Sequence, residues 1–319
     1  GGTYTDAVLM RDEDAVIASA KALTTRQDLA IGVSEAVKAV LAASFVSPKD
    51  IALASLSTTL ATNALVEGQG ARVALIYIGF SERDLAAQGL ADALAGDPVL
   101  VTAGGHSHSG SEVTPLDVAL IADWAAVQDV SAFAIAAQFG TRNPAHEVAA
   151  REAVRAATGR PVTCSHELSA KLGGPKRALT AVLNARLIGL THRLIGRAEG
   201  ALRELGIDAP LMVVRGDGAL MSAAQAQERP IETILSGPAA SIVGARWLTG
   251  ADQALVSDIG GTTTDIAVLR NGQPVIDPDG ARVGPHRTMV EAVAMRTHGL
   301  GGDSEVHLAS EGLIGGVRL

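Results

Sequence analysis

Cysteine is nearly absent from this 319-residue chain, Cys164 being the single one. A lone thiol excludes an internal disulfide framework and a cysteine-built zinc site, and it fits a reducing compartment, so a cytoplasmic location is expected. Aromatic residues are scarce, at 3% against 47% hydrophobic residues. The core must therefore be assembled from Ala, Val, Leu and Ile, which suits an α/β protein. Positive charge is in deficit, with 26 Lys and Arg against 34 Asp and Glu and no basic block. Nucleic acid is therefore not an expected partner. No apolar run reaches the roughly 18 residues of a membrane span, and the best stretches, Val73 to Phe80 and Phe133 to Ala137, are strand-sized, so no membrane partner is expected. The chain opens on a Gly-Gly turn without an initiator Met, a signal peptide or a preceding strand, and a strand ahead of Gly1 is expected.

Strand-like and helix-like segments alternate along the chain, which argues for α/β layering. The patterns predict strands at Ala7–Met10, Ile51–Leu56, Arg72–Ile78, Ala132–Ala137, Leu211–Val214, Ile231–Leu235 and Ala254–Ser257. They predict helices at Asp28–Ser44, Leu60–Val66 and Pro144–Ala157, with one or two long helices over Lys176–Leu205. In the first helix Ile31, Ala36, Val37, Val40 and Leu41 are expected to share an apolar side. The length fits two domains, divided here as 1–175 and 176–319. The turn-rich segment Ala103–Pro115 is expected to be a surface loop.

One phrase occurs twice: GGTYTDAVLMRDEDAVI from Gly1 and GGTTTDIAVLRNGQPVI from Gly260, identical at eight of seventeen positions. Each copy reads as a Gly-Gly turn carrying hydroxyls and an acid, followed by two strands. Paired glycines let successive backbone N–H groups converge on an anion, Thr hydroxyls add donors, and the closing Asp is placed to hold hydrated Mg²⁺ beside phosphate oxygens. Two such hairpins facing each other across a cleft would clamp a nucleotide. A plain turn needs neither the threonines nor the acid, so their retention in both copies favours duplication of a functional half.

At these residues the chain resembles the actin-like ATPase and sugar-kinase superfamily, and within it the hydantoinase A/oxoprolinase family. The specific pieces are GGTYTD at Gly1–Asp6, STTLATNALVEGQGARVALI at Ser57–Ile76, SGPAASIVGA at Ser236–Ala245 and SDIGGTTTDIAV at Ser257–Val268. The resemblance covers nearly the whole chain and marks it as a fragment, an N-terminal domain with part of the next. It implies two related actin-like (ribonuclease H-like) lobes with a nucleotide cleft between them, ATP and Mg²⁺ as cofactors, and ATP-dependent ring-opening of a cyclic amide of the hydantoin or 5-oxoproline type. Alternatives within the same resemblance are a carboxylase subunit of the acetone carboxylase type and a small-molecule kinase. A nucleotide-gated scaffold without turnover is a further alternative. A second, B-type subunit and an oligomer are expected partners. The chain departs from the usual family pattern at Ser57, at Arg215–Ala219, at Arg296 and within Gly299–Ser304.

The residues assigned on this basis are as follows. Gly1, Gly2, Gly260 and Gly261 donate N–H groups to phosphates, with Thr3, Thr5, Thr262, Thr263 and Thr264 adding hydroxyls. Asp6, Asp258 and Asp265 hold Mg²⁺ or orient the nucleophile; Asp258, at the end of an apolar strand, could instead stabilise the turn. Ser236 and Gly237 open a helix suited to a phosphate or ribose, or form a plain strand-to-helix turn. Gly299, Gly301 and Gly302 let adenine or ribose approach the backbone, or form a flexible loop. Thr58, Thr59, Thr62 and Asn63 bind substrate or phosphate, or in part cap a helix. His106 and His108 have metal-ligand spacing but no third ligand in view, so a solvated loop is expected. Cys164 is expected to be a small buried apolar residue.

Overall fold

The computed structural model describes residues 4–305 except 13, 26, 27 and 262, together with the backbone of 307–308 and 317–318. The first hairpin pairs β1 (Tyr4–Arg11) with β2 (Ala15–Leu23) in antiparallel register, Tyr4 opposite Leu23. Helix α1 (Leu29–Ser44) packs on both strands. It starts at Asp28, whose carboxylate accepts from the Ala30 N–H at 3.2 Å and pairs with Arg197 at 2.6 Å. Ala36 and Val40 are buried as the pattern predicts, whereas Ile31 is 45% exposed. At about 100° per residue Ile31 points away from that face, and its expected place in the apolar stripe is corrected accordingly. Strand β3 (Ala54–Leu56) and the short helix α2 (Leu60–Val66) follow.

A four-stranded parallel sheet forms the main core. Its strands are β4 (Val73–Ile78), β5 (Val99–Thr102), β6 (Ala132–Ala137) and β7 (Val162–Cys164), in the order β5-β4-β6-β7. Helix α3 (Leu90–Leu94) precedes β5, α4 (Val118–Ala126) and α5 (Ala145–Thr158) flank β6, and α6 (Ser165–Leu168) follows β7. Every residue of β4 and β6 is buried. Alternation decides which layer each side chain meets. Val73, Leu75 and Tyr77 join Leu179 and Leu183 of the long helix α7 (Gly174–Glu204), and Ala74, Ile76 and Ile78 join Ile121, Ala150 and Val154 of α4 and α5. Each Val, Leu or Ile among them contributes roughly 1.5–3 kcal/mol by leaving water.

The long segment after Gly173 is one helix. Its first half lies on the parallel sheet, while Ile195, Ala198 and Leu202 pack with Leu211, Val213 and Met221 of the next layer. There β8 (Leu211–Val214) pairs parallel with β3 and antiparallel with β9 (Leu220–Ser222), and α8 (Ala223–Glu228) follows. The strand expected over Ile231–Leu235 is instead a 3₁₀ turn, Pro230–Thr233. Pro230 fixes φ and lacks an N–H, and the Ile231 N–H is taken by the buried Asn184 side chain at 3.1 Å, so both isoleucines of the segment reach the core without a ladder. Leu235, at φ +60°, turns the chain into α9 (Ser236–Thr249).

Helix α9 covers one face of the last sheet, burying Ala239 and Ile242 against Ala267 and Leu269. That sheet pairs β11 (Thr264–Arg270) with β10 (Ala254–Ile259) on one side and β12 (Gln273–Pro274) on the other. After the two-residue hairpin β13 (Arg282–Val283) and β14 (His286–Arg287), β15 (Met295–His298) returns to β11. Among the described residues no helix is long and apolar enough to cross a membrane.

Candidate functional site

A cavity of about 320 Å³ brings the first hairpin together with the residues that open α2. Thr5 and Thr24 line it from one side, Ser57, Thr58, Thr59 and Asn63 from the other. Local chemistry explains the arrangement. Thr58 Oγ1 accepts from the Leu60 N–H at 3.1 Å and so starts the helix, which turns the following hydroxyls and Asn63 to one side. The Ser57 hydroxyl is buried and has no hydrogen-bond partner among the described residues, leaving a polar atom for a ligand to satisfy. Thr62 is not part of this lining; its hydroxyl accepts from the Leu235 N–H at 3.0 Å. Gly1, Gly2, Thr3 and Thr262 lie outside the described residues. Asp6 is on the exposed side of β1, paired with Lys21 at 3.0 Å.

The second copy of the repeat forms a tight β10–β11 turn in which the Gly260 N–H donates to the Thr263 carbonyl at 2.8 Å. Asp258 and Asp265 stand directly opposite each other in this ladder, so their side chains share a face. It is the face that α9 covers, since Ala267 and Leu269 have the same parity as Asp265. Ser241 of α9 donates to Asp258 at 2.7 Å and Thr297 of β15 donates to Asp265 at 2.6 Å. Like charges directly opposite in a ladder are unfavourable, and each of the two carboxylates is met by one hydroxyl donor.

The loop of Gly299, Gly301 and Gly302 closes directly on this turn. The Gly302 N–H donates to the Gly260 carbonyl at 3.0 Å, the Asp303 N–H to the Gly261 carbonyl at 2.7 Å, and Thr264 Oγ1 to the Leu300 carbonyl at 2.6 Å. The structure thus brings Gly260, Gly261, Thr264 and the distal glycine loop together. Thr263 is exposed beside them. The buried Thr264 hydroxyl is committed to that loop.

Helix α9 joins the two loci. At its start the buried Ser236 donates to the Thr58 carbonyl at 2.9 Å, and Gly237 lies so close that a Cβ there would sit 3.3 Å from Thr59. Five residues on, Ser241 holds Asp258. The rise between those contacts is about 7.5 Å, within the span of one nucleotide.

Two further polar clusters sit at the carboxyl ends of the parallel strands. Glu147 is fully buried and accepts four hydrogen bonds, from the Ala137 N–H at 2.8 Å, Ser165 Oγ at 2.6 Å, the His166 N–H at 3.0 Å and His166 Nδ1 at 2.6 Å. The buried Arg177 donates to Ser165 Oγ and to the Ala137 carbonyl, so a carboxylate and a guanidinium compensate each other through one hydroxyl. Cys164 is buried beside them as expected, and burial pushes its thiol pKa far up. Glu147, Cys164 and His166 are near enough to hold an ion, but the carboxylate is already saturated by donors.

Ala103–Pro115 is a loop with Ser111–Pro115 exposed, as expected, but its start and the expectation of a solvated His106 are corrected. Gly104, Gly105 and His106 are buried, His106 only 2% exposed, while His108 is exposed. His146 anchors the segment: its Nδ1 accepts from the Gly105 N–H at 2.9 Å, so its Nε2 carries the proton and donates to Glu112 at 2.8 Å. The His106 ring packs against that of His146 at a tilt of 45°, centroids 4.4 Å apart, and burial, then the neighbouring imidazole, lowers its pKa against the opposing pull of Glu112. Sequence reasoning missed Ser241, Thr297 and Asp303 at the second hairpin and the whole Glu147 cluster. No spacing within SGPAASIVGA flags Ser241, which lies five residues, about 1.4 turns, beyond the opening serine and so on another side of the helix; nothing local links Glu147 to Ser165.

A family model described as the hydantoinase/oxoprolinase N-terminal region matches residues 1–158, and one described as hydantoinase/oxoprolinase matches residues 177–316. The caprolactamase subunit alpha of Pseudomonas jessenii is 30% identical over 340 residues, covering 98% of this chain and 49% of that protein. The acetophenone carboxylase gamma subunit of Aromatoleum aromaticum is also 30% identical, over 94% of this chain and 45% of its own. Among solved structures, the ATP-dependent caprolactamase from Pseudomonas jessenii superposes with a TM-score of 0.81 at 29% identity, over 97% of this chain and 48% of that one. Nucleotide-free acetone carboxylase gives 0.77 at 21% identity, a likeness of fold. The chain spans about half the length of the curated relatives it matches.

Proposed function

Because the chain belongs to the hydantoinase/oxoprolinase family, we propose that its two Gly-Gly hairpins hold the phosphates of Mg-ATP, in two actin-like lobes, and that the protein containing it opens a cyclic amide at the expense of that ATP. The observation that carries this reading is the second hairpin. There Asp258 and Asp265 face each other beside Gly260 and Gly261, under a glycine loop latched to the same turn. A Mg²⁺ ion, which takes one or two carboxylates together with phosphate oxygens, would relieve the repulsion between them. Asp6 could join only by releasing Lys21. The first cavity, with Thr5 and the hydroxyls of Thr58 and Thr59, then faces the transferring group or the amide.

An unstrained lactam resists water because its carbonyl is a poor electrophile and its nitrogen a poor leaving group. In the reaction proposed, the carbonyl oxygen attacks the γ-phosphorus and ADP departs. Water adds to the activated carbon, the ring nitrogen leaves with a proton, and a second water releases phosphate and the carboxylate. The protein supplies position and electrostatics, as phosphoryl transfer requires. The likeness to the acetophenone carboxylase gamma subunit favours, as second reading, an ATP-dependent carboxylase subunit. Relatives named as subunits also support a partner chain.

The test is phosphate release from Mg-ATP by the full-length protein, alone and with its neighbouring subunit, against hydantoins, 5-oxoproline, caprolactam, and ketones with bicarbonate. Ring opening matched to ADP supports the first reading, and bicarbonate-dependent release the second. Asp258→Ala should lower kcat at least a hundredfold with the fold intact; normal turnover in that variant would remove the assignment of Asp258.

A further inference from the structure

The second hairpin carries a third acid, Asp303, set against the Gly260–Gly261 turn itself. Its backbone is pinned there. The Asp303 N–H donates to the Gly261 carbonyl at 2.7 Å and the Gly302 N–H to the Gly260 carbonyl at 3.0 Å. The loop is closed on itself as well, since the Gly301 N–H donates to Ser304 Oγ at 2.9 Å and the Ser304 N–H to the Gly301 carbonyl at 3.0 Å. The carboxylate lies over Gly261: a Cβ on that glycine would sit 3.2 Å from Asp303 Oδ2 and 4.0 Å from Oδ1. Asp303 therefore takes the space that the absent side chain leaves open. Its carboxylate accepts no hydrogen bond from any described residue, and among those residues no Lys or Arg pairs with Asp258, Asp265 or Asp303. Asp303 also falls within Gly299–Ser304, where the chain departs from the usual pattern of its family.

A carboxylate and a phosphate that approach the same glycine repel each other, and here no basic side chain is paired with the acids to offset the repulsion. A free polyphosphate is rejected by such a turn. A nucleotide chelated by Mg²⁺ meets it differently, because that cation takes one or two carboxylates together with phosphate oxygens, and its charge reverses the sign of the interaction. On the reading of this hairpin as a phosphate site, we propose that Asp303 makes it selective for the metal-chelated nucleotide over the free one. Asp303 is then a specificity residue: it discriminates between two charge states of one ligand at the point where Gly261 lets that ligand come close.

Titration calorimetry of the full-length protein with ADP, in excess MgCl₂ and again in EDTA, reads this selectivity as a ratio of two dissociation constants. The parent should bind Mg-ADP roughly thirtyfold or more tighter than free ADP. In Asp303→Asn and Asp303→Gly, free ADP should bind about fivefold or more tighter than it does to the parent, and the ratio should fall accordingly. Tm should not change, because the carboxylate makes no bond that the variants lose. Asp123→Asn, which removes an equal charge from an exposed position on α4, should keep the parent's ratio. A parent that binds ADP in neither condition would overturn the phosphate site and the role of Asp303 together. A parent that binds Mg-ADP but keeps its ratio in both Asp303 variants, or an equal fall in Asp123→Asn, would overturn the role of Asp303 alone.

Discussion

Replacing Glu147 by Gln keeps the side chain's shape and changes its hydrogen-bond capacity, which makes it a direct test of the buried network. The carboxylate accepts four bonds; an amide oxygen can take those from Ala137 and Ser165, and the NH₂ group then meets the His166 N–H. His166 can adapt by moving its proton to Nε2, but its backbone N–H cannot, and an orphaned buried donor costs about 1–3 kcal/mol. Arg177, 1% exposed, also loses the negative charge that balances it through Ser165. Breaking a buried charge pair typically costs about 3–5 kcal/mol, so the variant should lose roughly 3–5 kcal/mol. That is a large share of the roughly 5–15 kcal/mol that holds a domain folded. Guanidinium denaturation followed by far-UV circular dichroism reads the loss. The control is Glu152→Gln, exposed on the same helix, which should stay within about 0.5 kcal/mol of the parent. A Glu147→Gln protein within about 1 kcal/mol of the parent would refute the claim that this network supports the parallel sheet.

Three other perturbations have defined outcomes. His106 has a lowered pKa in the folded chain, so the unfolded chain binds its proton more readily; the stability of neutral His106 is complete above about pH 6.5 and declines as pH falls toward the folded value. Thermal melts from pH 7.5 to 5.5 should show this decline, reduced in His106→Phe, and identical slopes in both proteins would contradict it. Ser236→Ala removes the bond to the Thr58 carbonyl and should cost about 0.5–1.5 kcal/mol in a denaturant titration, with weaker nucleotide affinity by calorimetry. Unaltered nucleotide affinity would separate α9 from the binding site. Lys21→Ala frees the exposed Asp6 and should change stability by no more than about 1 kcal/mol, while Mg²⁺-dependent nucleotide binding tightens if Asp6 serves the metal; unchanged Mg²⁺ dependence would remove Asp6 from the site.

Periodicity and punctuation alone determined most of the helices and strands. Leu60–Val66, Ala132–Ala137 and Leu211–Val214 have the boundaries the sequence predicts, because each is a single-period apolar run bounded by turn residues or a polar cap. The repeated GGTxTD phrase marked both hairpins without any structure, since glycine, hydroxyl and acid at fixed spacing form a local device. Tertiary structure decided the rest. Ile231–Leu235 has strand composition, yet the Asn184 side chain takes its N–H and a 3₁₀ turn results. His106 sits among glycines and serines that read as a solvated loop, but His146, forty residues on, holds the start of that loop through the Gly105 N–H, where Gly104, Gly105 and His106 are buried. The same distinction governs the site. Local spacing named Gly260 and Asp258, whereas Ser241 at Asp258, the glycine loop on Gly260 and the Glu147 cluster depend on contacts between residues distant in sequence, which the period of no single segment encodes.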